Sequence, residues 1–76
     1  MIAELQSVVL VIDLPEHGLR QGDIGTVVLV HRDSEGYEVE FTTLEGTTLA
    51  VVTLLASQVR AIQPGEIAHA RTLEAA

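Results

Sequence analysis

Short apolar runs, separated by glycine, proline and acidic residues, divide the chain into five predicted strands. The clearest run is residues 37–42, where Tyr37, Val39 and Phe41 alternate with polar side chains. Strict alternation is the pattern of a strand with one buried face, and the other runs are rich in β-branched residues. The predicted strands are residues 7–12, 24–32, 37–42, 47–55 and 60–62.

The predicted connections differ in length. Residues 13–23 hold one proline, two glycines and two aspartates, so we predict a long first loop without regular structure. Short turns at residues 33–36 and 44–46 join strands two, three and four into a meander. Residues 57–59 predict a 3₁₀ turn before the last strand, and Gly25 predicts a bulge or bend near the start of the second.

This order of elements predicts an all-β fold, a small five-stranded SH3-like barrel with a short C-terminal helix or tail. Barrel closure removes exposed sheet edges. The alternative is an OB-like barrel, which normally needs more chain than the roughly 55 residues between the first and last strand. We assign residues 1–63 to the barrel. Residues 64–76, rich in helix formers after a Pro-Gly pair, form a helical or flexible tail.

The composition is that of one small folded domain. A chain of 76 residues allows a single core, and a 47% hydrophobic content excludes a disordered chain. Because cysteine is absent, disulfides and thiolate zinc sites cannot supplement that core. We see neither a signal peptide nor an apolar run of membrane-spanning length, and therefore expect a cytoplasmic protein that does not enter a membrane.

The charge balance indicates which class of partner the chain favours. Eleven acidic residues face four basic ones, all arginine, for a formal net charge of −7. Phosphate binding needs clustered basic residues, so nucleic acid is an unfavourable partner and a basic partner is favoured.

The fourth predicted strand is apolar on both faces. Its two rows of side chains are Leu49, Val51 and Leu55 on one face, and Ala50, Val52 and Leu54 on the other. One face fills the interior. The other needs cover from the N-terminal segment, from the tail around Ile67 or from another subunit, because an exposed apolar patch is an association site. With the apolar residues 27–30, this favours a homo-oligomer or a complex with a protein partner.

One loop concentrates polar side chains that could hold a divalent metal or a basic side chain of a partner. Its members are Asp13, Glu16, His17 and Asp23. Their spacing matches no defined metal motif, so we favour a structural interpretation in which both aspartates accept loop backbone hydrogen bonds and His17 is solvated. Neither His31 nor His69 stands at a spacing that adds a ligand, and we predict no metal or cofactor.

The chain carries no sequence signature of a catalytic site. Nucleophile elbows, phosphate-binding loops and zinc-binding helix motifs are absent from the sequence. Glu38 and Glu40, about 7 Å apart on one strand face, resemble a glycosidase pair, but a solvated face explains them better. One tyrosine and one phenylalanine cannot line an aromatic groove, and we expect Phe41 in the core and Tyr37 partly exposed. We predict that the protein is not an enzyme.

Four stretches together resemble a bacterial family, domain of unknown function 4926, over residues 4–62. They read VVL at 8–10, LPEHGL at 14–19, GDIGTVV at 22–28 and YEVEF at 37–41. The resemblance implies a small SH3-like β-barrel with no catalytic residues to transfer. The GDIGTVV stretch alone is similar to the loop and strand of KOW-type ribosomal and transcription barrels.

These observations predict a non-enzymatic protein-interaction module that self-associates or docks on a protein partner. An antitoxin-like protein or an accessory subunit would have this character. The alternative is a nucleic-acid or ribosome-associated barrel like the KOW type, which requires a local basic face.

Overall fold

The structure, a computed structural model, describes residues 2–73, with the backbone alone at Ser34. Five antiparallel strands form one sheet in the order β4-β3-β2-β1-β5. They are β1 (Ser7–Leu10), β2 (Ile24–Val30), β3 (Gly36–Thr42), β4 (Thr48–Leu55) and β5 (Val59–Ala61). The predicted all-β class and its five strands are confirmed, and each strand lies where the pattern placed it to within two residues at either end.

The sheet is open. Its edges are β4 and β5, which do not pair with each other in the described part of the chain. Closure into a barrel therefore stays a prediction. The 3₁₀ turn expected before the last strand occupies Ala56–Gln58, one residue earlier than predicted.

One row of side chains from each of the long strands fills the core. Val39 and Phe41 are fully buried, as the alternation in β3 predicts. Tyr37 is also buried, so its predicted partial exposure is wrong. The reason is its register: Tyr37 lies between Val30 of β2 and Leu54 of β4, in the middle of the sheet.

The first loop contributes to the core more than its composition indicates. A 3₁₀ turn at Pro15–His17 lets Leu14 and Leu19 exchange backbone hydrogen bonds of 2.9 and 3.1 Å. Both leucine side chains are buried in the core cluster. The first loop therefore contains regular structure and packs two leucine side chains into the core.

Gly25 does not mark a bulge. A Cβ at this position would lie 2.5 Å from Val39 Cγ1 and 2.8 Å from Phe41 Cε1, so the glycine allows β3 side chains to pack against the β2 backbone. The register shift in β2 falls instead between Val27 and Leu29. It leaves Leu29 exposed on the outer face of the sheet.

The residues that follow β5 take no helical structure. Residues 66–73 contain neither an α-helix nor a 3₁₀ turn, so the helical alternative for the tail is wrong over this range. Residues 74–76 of the predicted tail lie outside the described residues.

Adjacent residues of β4 should differ sharply in their contribution to stability. Leu54 is 2% exposed and Leu55 is 62% exposed. We expect Leu54→Ala to lower the free energy of unfolding by about 2–4 kcal/mol through the cavity it leaves, and Leu55→Ala by under about 1 kcal/mol. Urea denaturation at micromolar protein concentration measures both. Equal losses for the two variants would show that the assigned inner and outer rows of β4 are wrong.

Candidate functional site

The outer face of β4 carries a row of exposed apolar side chains. Leu49, Val51 and Leu55 are 37%, 54% and 62% exposed, and Thr53 between them is also exposed. We call these four side chains the β4 surface. The opposite row, Ala50, Val52 and Leu54, faces the core, with Leu54 fully inside and the other two half-buried.

Neither of the two predicted internal covers buries the β4 surface, since Val51 and Leu55 stay more than half exposed. The N-terminal segment runs along β2, where Leu5 N–H donates to the Val27 carbonyl at 2.6 Å, and β3 separates β2 from β4. In the tail, the Ile67 side chain is 92% exposed and covers nothing. Of the three covers considered for β4, the tail therefore does not supply one through Ile67, although residues 68–73 line a groove together with Leu49.

Two glutamates form an acidic row on β3 beside the β4 surface. Glu38 lies opposite Thr53, and Glu40 lies opposite Val51. The Thr53 hydroxyl donates to both Glu38 carboxylate oxygens at 2.8 Å, and the Thr48 hydroxyl donates to Glu40 at 2.7 Å. These bonds hold both carboxylates flat against the outer face of the sheet.

Glu38 of the acidic row carries a negative charge at neutral pH. His31 Nε2 lies 2.5 Å from Glu38 Oε2, and its hydrogen bond, together with that from Thr53, lowers the pKa of the Glu38 carboxyl below its ordinary value. A general acid needs the opposite, a raised pKa. The geometry around Glu38 is that of a fixed surface anion.

The outer backbone edge of β4 pairs with no other strand among residues 2–73. The Ala56 N–H donates to the Glu35 carbonyl, so in the alternating antiparallel ladder Leu54 and Val52 direct their backbone groups to β3. Val51 and Thr53 direct theirs away from the sheet. Consistent with this, the outward N–H of Leu55 donates to the Gln58 side chain at 2.7 Å.

The four residues of the predicted loop cluster do not form one site. Asp13 accepts the Gln21 N–H at 2.8 Å, and Asp23 accepts the Arg20 N–H at 2.8 Å. Glu16 and His17 are exposed in the 3₁₀ turn. No group of three or more metal-ligating side chains comes together among residues 2–73.

The tail is anchored by two arginine–carboxylate pairs. Arg71 donates to both oxygens of Asp23, at 2.9 and 2.5 Å, and to the Gly18 carbonyl at 2.9 Å. Arg60 donates to both oxygens of Glu66 at 2.8 and 2.7 Å. Arg71 thereby ties the end of the described chain to the first loop, a contact for which the sequence pattern offers no signal.

Both carboxylates in these pairs are more acidic than usual. Partial burial favours the neutral form of Asp23, but hydrogen bonds from Arg71 and the Arg20 backbone outweigh it and lower the pKa of that carboxyl. Hydrogen bonds from Arg60 and the Gln63 N–H lower the pKa of Glu66 from 4.5 to about 2. The tail is therefore held by charges that persist well below neutral pH.

A groove of about 520 Å³ lies between the tail and the sheet. Its sheet side includes Ile24, Phe41 and Leu49, and its tail side includes Arg71 and Leu73. Leu49 belongs both to this groove and to the β4 surface, so the two features are continuous.

Among the comparisons with known proteins, only the one with protein-family models found a match. The model of a family described as a domain of unknown function (DUF4926) matches residues 4–61. No curated protein and no solved structure matches. Among the described residues, no helix has the length and hydropathy that crossing a membrane requires.

Acid should release the tail before it disrupts the core. Because the folded pKa values of Asp23 and Glu66 are lowered, their ion pairs are complete above the ordinary values of 3.8 and 4.5 and are lost as pH falls through the lowered values, about 2 for Glu66. Heteronuclear NOE values of residues 64–73 should be high at pH 7 and fall towards pH 2.

A Glu66→Gln substitution should reproduce part of this loss at pH 7, where the core is intact. Ile67→Ala, in the same segment, should leave the tail NOE values unchanged because Ile67 is exposed. Tail NOE values that stay constant from pH 7 to 2, and in Glu66→Gln, would contradict the anchoring role of the ion pairs.

Proposed function

This chain belongs to the family of domain of unknown function DUF4926, and on that premise we propose that it is a non-enzymatic protein-interaction module. The observation that carries the proposal is the β4 surface, a row of exposed aliphatic side chains beside a free strand edge. Another polypeptide, either a second copy of the chain or a protein partner, binds there.

The energetics favour association at this surface. Burying a half-exposed valine or leucine contributes about 1–2 kcal/mol, so Val51 and Leu55 together supply a useful part of a binding free energy. An unpaired strand edge adds backbone hydrogen bonds that only another polypeptide forms. Both features select a protein over a small molecule.

The electrostatics favour a protein over a nucleic acid. The acidic row adjoins the β4 surface, and the formal net charge is −7. Arg60 and Arg71 are held in ion pairs with carboxylates. A basic face like that of KOW-type barrels is not supported by these contacts, whereas an antitoxin-like or accessory-subunit role is compatible with an acidic binding surface.

A double lysine substitution on the β4 surface should abolish binding, since it places two charges on an interface that must become dry. The test variant is Val51→Lys with Leu55→Lys. The control is Leu44→Lys with Ile67→Lys, which makes the same charge change at two residues that are 94% and 92% exposed and lie off β4. Each variant is titrated with purified wild-type chain, and with any partner identified by affinity capture and then purified.

We expect the test variant to bind at least about 10-fold more weakly than wild type, and the control to differ by no more than about 3-fold. Equal affinities of wild type, test and control for every binding protein would refute the proposal.

A further inference from the structure

We propose that β4 pairs edge to edge with β4 of a second copy, antiparallel and centred on Val52, so that two five-stranded sheets become one continuous sheet. This rests on the proposed function and names its partner as the chain itself. The residues involved are those of the β4 surface and the inward-facing Val52.

The β4 edge lacks the features that normally prevent such pairing. Proteins protect edge strands with charged residues, proline, short length or a covering segment. Thr48–Leu55 is the longest strand that the structure describes and has no charged residue or proline; within residues 2–73 it pairs with β3 alone. The other edge, Val59–Ala61, has three residues and carries Arg60.

The ends of the free edge determine where the pairing is centred. At one end, a register shift in the β3–β4 ladder falls at Leu49, which opposes no residue of β3. At the other end, Gln58 already occupies the outward N–H of Leu55. Between them, Val51 and Thr53 direct backbone groups outward, and Val52 lies midway.

The pairing of side chains also supports a two-fold axis at Val52. In antiparallel pairing, residues directly opposite each other project to the same face. A two-fold axis at Val52 sets Val51 opposite Thr53 of the second copy, and Leu49 opposite its Leu55. An axis at Val51 would instead leave Leu55 opposite Thr47, outside the strand.

Charge favours edge pairing over stacking of the outer faces. Edge pairing separates the acidic row of each copy by three strand spacings, about 14 Å, which exceeds the Debye length of about 8 Å at physiological salt. Face-to-face stacking would bring four glutamates together in a dry interface, at a high desolvation cost. Edge pairing brings the aliphatic side chains of the two β4 surfaces together without desolvating the glutamates.

Single cysteines report this pairing, because the native chain has none. Residues opposite each other in a non-hydrogen-bonded pair have Cα atoms about 4.5 Å apart, within disulfide range, so Val52→Cys should cross-link to its own copy. Val51→Cys is the register control, since the two Val51 positions are diagonal and about 7–8 Å apart. Ile67→Cys, exposed in the tail, reports random collision.

We expect Val52→Cys to form disulfide dimers at least about 10-fold faster than either control, at a concentration of about 100 µM, because a strand-edge interface is small and weak. Adding the Val51→Lys and Leu55→Lys pair to Val52→Cys should reduce the rate to that of Ile67→Cys. A Val52→Cys rate no higher than that of Ile67→Cys, or lower than that of Val51→Cys, overturns the proposed pairing.

Different results would refute the pairing with a second copy and the more general protein-interaction function. A wild-type chain that stays monomeric to about 1 mM by sedimentation equilibrium overturns the pairing with a second copy. If the lysine pair on β4 still abolishes binding of a purified partner, the protein-interaction function survives that result. If no protein depends on β4, both proposals are refuted.

Discussion

The fold and its binding surface both depend on how β4 is divided. The inner row of β4 contributes Leu54 to a core that also includes side chains of the other four strands and of the first loop. In the outer row, Val51 and Leu55 stay more than half exposed, and the outer edge pairs with no strand among residues 2–73. Residues 2–73 form one sheet, and the outer face of β4 lies outside its core. The proposal that another polypeptide binds there rests on this exposed apolar row beside an unpaired edge.

The polar groups of the molecule are arranged around that surface. Threonine hydroxyls and His31 fix the acidic row beside it, and Arg71 holds the tail against the first loop. In the proposed association the acidic row disfavours face-to-face stacking, so hydrophobic burial and charge both favour edge pairing.

Local pattern was sufficient to predict the strands, since alternation at residues 37–42 and β-branched runs elsewhere reflect burial directly. The aliphatic β4 was predicted to need outside cover, but which of its rows faces inward depends on its register with Tyr37, and register is a tertiary property. The tail was misjudged because its helix propensity is overridden by contacts such as Arg71 to Asp23, 48 residues apart. The burial of Leu14 and Leu19 was not predicted, because the residues between them are typical of an exposed turn.

Within residues 2–73 of a single chain, the outer edge of β4 pairs with no other strand. Backbone amide hydrogen exchange of a dilute, monomeric sample tests it most directly, because neighbouring residues of one strand serve as mutual controls. We expect rapid exchange at Val51 and Thr53 and slow exchange at Val52 and Leu54, whose amides bond to β3. Slow exchange at all four amides in the monomer would show that the chain covers its own edge, and would contradict the account.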